Sequence, residues 1–100
     1  MGYETRFLID GEMVEGEGAL LEVENPATEQ TITTLATASA GQLDRAVEAA
    51  RAASVNWAAM PGVDRTPMLR GVAEALRSRS EELAAIMTTE IGRPLSESAD

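Results

Sequence analysis

The hydrophobic pattern changes its period once, near residue 38, and that change limits what the chain can fold into. Before it, Leu21 and Val23 alternate with Glu22 and Glu24, the two-residue period of a strand with one face covered. After it, Leu43, Ala46, Val47, Ala50 and Trp57 fall at offsets of 3, 4, 7 and 14, one face of a helix. The pattern predicts strands over about residues 5–37 and helices over about 40–100. With 100 residues there is one domain at most.

The strand region is punctuated by turn chemistry. "RFLID" and "EMVE" flank Asp10-Gly11, a two-residue hairpin signal because both positions tolerate positive φ. Gly16 and Gly18 read as a second turn. Asn25-Pro26 breaks the next strand, since proline lacks the ladder N–H and pushes its predecessor out of the helical region. "TITTLAT" is rich in β-branched residues and reads as a further strand.

Three helices are expected after residue 39. Ser39 with Gln42 three residues on forms a capping box. Met60-Pro61-Gly62 ends that helix, and Trp57 on its apolar face reads as core. Leu69, Val72, Ala73 and Leu76 mark a second helix starting near Asp64, where Pro67 fits only in a first turn. Ser80 reads as the cap of a third, with Glu81 and Glu82 at the positive end of its dipole. Its apolar stripe is Leu83, Ile86 and Met87, and Gly92 closes it. Pro94 stands where a new helix could begin, and the sequence stops six residues later. That abrupt stop, and 17 alanines among the apolar residues, lead us to expect a segment whose own core is marginal, because small side chains bury little area.

Charge and residue inventory exclude several functions. The formal charge of −9 argues against nucleic acid or an anionic membrane as partner. No signal sequence or span of about 20 apolar residues is present, so a cytoplasmic protein is the default expectation. Histidine and cysteine are absent, which removes thiol nucleophiles, thiolate metal sites and disulfides from these residues. The carboxylates show no paired arrangement, and neither GxGxxG nor GxxxxGK occurs. Glu81, Glu82, Glu22 and Glu24 read as solvated or capping charges. Glu90 is the exception: a carboxylate beside a helix stop is disfavoured by the dipole, so its position asks for a reason. On residue chemistry alone, these residues carry no catalytic site and no cofactor-binding site.

The order of segments resembles a known family. "FLIDGEMVEGEG", "EVENPATEQTITTLATASAGQLDRAVEAARAASVNWAAM" and "RGVAEALRSRSEELAAIMTTEIGRPLSES" are similar to the N-terminal portion of the aldehyde dehydrogenase superfamily, from about Phe7 to Ser98. Members open with an F-I-D-G-E-type hairpin and an N-P-A-T-G-type turn. An A-V-x-A-A-R-x-A-type helix leads to a tryptophan, and a later helix ends in E-x-G-K-P-L.

The resemblance implies an α/β fold, with an N-terminal β-hairpin and strands followed by three or more helices, as the N-terminal segment of a cofactor-binding domain, incomplete as a domain. The enzyme would oxidise an aldehyde to a carboxylic acid with NAD or NADP, through a thiohemiacetal, hydride transfer and thioester hydrolysis. The cysteine and oxyanion donors that such chemistry needs would lie in the remainder of the chain. The full-length protein would be a homo-oligomer; the 100 residues alone would bind no cofactor and be inactive. Some relatives hold a monovalent cation between an acidic residue before the G-K-P turn and main-chain oxygens before the N-P turn. Glu90, Val23 and Glu24 are the matching positions. Two departures touch the motifs: Glu29 replaces the glycine after N-P-A-T, so this turn is not expected to use glycine's positive φ, and Arg93 replaces lysine. The alternative is a truncated, non-catalytic relative acting as a small interaction domain. An independent domain would present charges on its helix faces, a segment apolar surface.

Overall fold

The computed structural model describes residues 2–100. Their order is β1 (Phe7–Ile9), β2 (Glu12–Val14), β3 (Leu20–Asn25), β4 (Gln30–Ala36), α1 (Ala40–Ala59), α2 (Gly62–Ser78), α3 (Ser80–Ile91) and α4 (Leu95–Ser98). The strands pair as two separate two-stranded sheets, β1 with β2 and β3 with β4. The chain divides into two compact units, with β3 and β4 each contributing to both. The first comprises residues up to Val23 together with Thr33–Ala59, the second Glu24–Ile32 with Met60–Asp100.

In the first unit, Asp10 and Gly11 take φ of 52° and 78°, the two positive values that a primed hairpin turn requires. The register pairs Phe7 with Val14, Leu8 with Met13 and Ile9 with Glu12, antiparallel. Gly16 and Gly18 do not form the turn expected of them. A Cβ at Gly16 would fall on the carbonyl of Ala36, and Gly18 donates its N–H to the Thr37 carbonyl at 2.7 Å. They are close-approach glycines, where the backbone itself is the packing surface.

The start of α1 holds this unit together. Ser39 Oγ accepts the N–H of Gln42 at 3.1 Å, and Gln42 Oε1 accepts the N–H of Ser39 at 3.1 Å: the capping box forms as expected. The same Oε1 also accepts the N–H of Glu17 at 2.9 Å, while Nε2 donates to the Glu15 carbonyl at 2.7 Å. Gln42 is 1% exposed. A buried amide costs free energy unless its polar atoms are partnered, and here both ends are. Around it, Ser39 Oγ donates to Glu17 Oε2, and Arg45 lies 3.4 Å from Glu17 Oε1.

In the second unit, the "NPATEQ" turn is set by Asn25. Its Oδ1 accepts the N–H of Ala27 at 2.9 Å, and its carbonyl accepts that of Glu29 at 2.8 Å. Contrary to the sequence expectation, Glu29 keeps a positive φ of 58°. The turn retains the left-handed geometry, and a side chain costing about 1–2 kcal/mol there occupies it.

Two helix boundaries also differ from expectation. α2 begins at Gly62 rather than near Asp64, because the Pro61 carbonyl accepts the N–H groups of Asp64 and Arg65. Pro67 is thereby displaced into the second turn, where its missing N–H forgoes the bond to Val63. Ser80 is the first residue of α3 rather than its cap. The cap position belongs to Arg79, which makes no side-chain cap bond but donates to both carboxylate oxygens of Glu82 at 2.9 Å. At the other end Gly92, with φ 69°, closes α3 as expected, and α4 follows Pro94. Ala84 and Ser98 are buried; Thr88 Oγ1 donates to Ser98 Oγ at 3.0 Å, which donates on to the Pro94 carbonyl.

The apolar stripes do not become core. Among the described residues Ala84 is the one buried hydrophobic side chain, while Leu43, Val47, Leu69, Val72, Leu76 and Trp57 stay exposed. Helix periodicity identifies a face to be covered, not what covers it.

Replacing Gln42 by Leu strands the Glu15 carbonyl and the Glu17 and Ser39 N–H groups, so unfolding free energy in urea should fall by about 2–4 kcal/mol. Gln42→Glu should lose a similar amount at neutral pH. Burial raises a carboxyl's pKa, so that deficit should shrink as pH falls and the protonated group donates to Glu15. Glu29→Gly should raise stability by about 1 kcal/mol by thermal unfolding, and Glu29→Ala should not, since alanine shares the left-handed penalty.

Candidate functional site

Glu90, Val23 and Glu24 are the candidate ligands, and their elements place them as follows. Glu90 is the penultimate residue of α3 and is exposed. The last turn of α3 contains no basic residue, so nothing within it offsets the negative end of the helix dipole, where a cation is favoured. The last carbonyls of a helix also lack intrahelical partners. Val23 and Glu24 precede the Asn25-Pro26 turn on β3; Val23 is half-buried and Glu24 exposed. Glu24 and Glu90 belong to the second unit, Val23 to the first.

Within the second unit the two turns that bracket the candidate site meet. A Cβ placed on Gly92 would stand 3.2 Å from Pro26 Cγ, closer than ordinary van der Waals contact. Glycine lets the end of α3 come this near the proline turn without displacing it, and takes φ of 69° with no Cβ penalty. Carboxylates and main-chain carbonyls are oxygen donors, the kind a hard cation takes. Among the described residues no group of three or more His, Cys, Asp or Glu side chains gathers as a metal site.

Glu4, Glu17, Glu48, Glu74, Glu82 and Glu97 are engaged in ion pairs with arginines. The side-chain hydrogen bonds from Arg6 hold the Glu4 carboxyl well below its ordinary range, and those from Arg79 lower that of Glu82. A general acid working near neutral pH needs the opposite shift. Glu81 and Glu82 stand in the first turn of α3, as read from the sequence. An open groove of about 400 Å³ lies in the first unit between the β1–β2 hairpin and α1, lined by Ile9, Val14, Asp10, Glu12, Arg45 and Glu48. It brings together no nucleophile and base. No helix among the described residues is long and apolar enough to cross a membrane.

Sequence reasoning found the Ser39–Gln42 cap but not the reach of Gln42 to Glu15 and Glu17, nor the Thr88–Ser98 pair. A capping box signals only local bonds, and no periodic pattern encodes contacts 25 and 27 residues apart.

The family model of the aldehyde dehydrogenase family matches residues 13–100. An NAD-dependent benzaldehyde dehydrogenase from Corynebacterium glutamicum superposes with a TM-score of 0.90 at 32% identity, over 97% of this chain and 21% of its own. A point mutant of betaine aldehyde dehydrogenase from Staphylococcus aureus, solved in complex with NAD+, gives 0.87 at 30% identity, over 96% of this chain and 20% of its own. A putative aldehyde dehydrogenase from Burkholderia cenocepacia gives 0.86 at 34%, over 96% and 20%. The chain belongs to the aldehyde dehydrogenase family, and it spans about a fifth of the length of these solved structures.

Proposed function

We propose that these 100 residues are the N-terminal segment of the cofactor-binding domain of an NAD(P)-dependent enzyme that oxidises an aldehyde to a carboxylic acid. The family match carries the reading. The related structures named as NAD-dependent or bound to NAD+ support NAD as the cofactor. The residues themselves fit no dinucleotide: they lack its glycine fingerprint and all thiols, so nucleotide and nucleophile belong to the remainder of the chain. The role of this segment is to support that half of the enzyme. In this reading the whole protein is a cytoplasmic homo-oligomer. The exposed apolar stripes favour it over a self-sufficient interaction domain, which would present charges there.

Glu90, with main-chain oxygens of Val23 and Glu24, would hold a monovalent cation at the end of α3. The meeting of Gly92 with Pro26 supports this by bringing the two turns together. The cation would neutralise a carboxylate and a helix end that otherwise repel.

The isolated 100-residue chain should form no NADH from NAD+ and aldehyde, whereas the protein as made in its own cells should do so and show a mass several times 10.6 kDa. Protein-dependent NADH formation by the short chain would refute the assignment of roles. Glu90→Gln should lower the melting temperature in K+ or Na+ buffers and leave it unchanged with a bulky organic cation. Equal losses in all three would count against the cation site.

A further inference from the structure

We propose that the groove between the β1–β2 hairpin and α1 binds a small primary ammonium ion carrying an apolar tail. Every residue that lines the groove belongs to the first unit, so the inference stands on that unit alone and goes beyond the function proposed above. The volume of about 400 Å³ falls within the roughly 300–1,000 Å³ of small-ligand sites. Ile9 and Val14 from the hairpin and Ala52 from α1 give it an apolar lining, which a hydrocarbon tail would cover and remove from water.

Charge selects the occupant. Asp10, Glu12 and Glu48 line the groove with a single guanidinium, that of Arg45. Arg45 already lies 3.4 Å from Glu17 Oε1, and Glu48 has only an exposed pairing with Arg51 at 3.8 Å. Among the described residues no basic side chain pairs with Asp10 or Glu12. A neutral apolar molecule would leave these carboxylates with water alone, and an anion would meet both them and the −9 of the chain. A primary ammonium offers three donors on one compact charge, and bonds from an ionised donor to a carboxylate are the strong ones. Size favours a free amine over the lysine of a partner protein. The α1 side of the groove runs only from Arg45 to Ala52, about two helical turns, whereas a stable protein interface buries about 1,200–2,000 Å².

The test is isothermal titration calorimetry of the protein as made in its own cells with phenethylammonium at neutral pH, beside uncharged phenethyl alcohol and anionic hydrocinnamate. The ammonium should bind one per chain, more tightly at low salt than at high salt, and in preference to the other two. Asp10→Asn combined with Glu12→Gln should weaken that binding about tenfold through the loss of two exposed ion pairs. Asn-Gly is itself a favoured hairpin pair, so the turn is kept. Ala52→Met, which fills the apolar lining with a good helix former, should weaken it independently. Absence of binding, unchanged affinity in either folded variant, or equal uptake of the uncharged or anionic analogue would overturn the proposal. Tighter binding of an acetylated lysine-bearing peptide than of the free amine would overturn it as well.

Discussion

One buried amide organises the first unit. Gln42 satisfies the second half of a helix cap and, with the same oxygen, receives the N–H of Glu17, while its nitrogen reaches the Glu15 carbonyl. Because the side chain is almost wholly buried, each bond is made in a medium where leaving it unmade is costly. The connection between the β1–β2 hairpin and β3 is therefore fastened to the first turn of α1. The glycine at 16, whose backbone lies against Ala36, is a further condition of that arrangement. A residue with only an acceptor or only an apolar surface at position 42 could not serve both neighbours.

Local chemistry explains which parts of the fold could be read from the sequence. Asp10-Gly11, the Ser39–Gln42 box and the Gly92 stop each act within a few residues, and all three appear where expected. Misplacements arose where two local signals competed. Pro67 suggested a first turn, but the Pro61 carbonyl had already begun α2. Ser80 suggested a cap, but the Arg79 carbonyl accepts the N–H of Leu83, which places the boundary one residue earlier. For Glu29 the expectation followed the residue, whereas the Asn25 hydrogen bonds dictate the turn and hold a glutamate in a glycine-like conformation.

The candidate site was legible only through family resemblance. Glu90 stood out physically because a carboxylate ends a helix, but nothing in spacing or composition linked it to Val23 and Glu24. What the structure adds is the Gly92–Pro26 contact, which brings the two motif turns of the second unit together. The apolar stripes were legible as stripes; their exposure was not, since sequence periodicity describes one partner of a contact.

The two units are interleaved along the chain, and this bears on how the polypeptide matures. The proline turn belongs with residues from Met60 onward, so it leaves the ribosome long before Gly92, the residue it touches. At translation rates of about 5–20 residues per second, the turn waits on the order of several seconds for that contact. In the interval Asn25 and the pairing of β3 with β4 hold it. The short hydrogen bonds that Asn25 accepts from the N–H groups of Ala27 and Glu29 thus serve as a scaffold in time as well as in space.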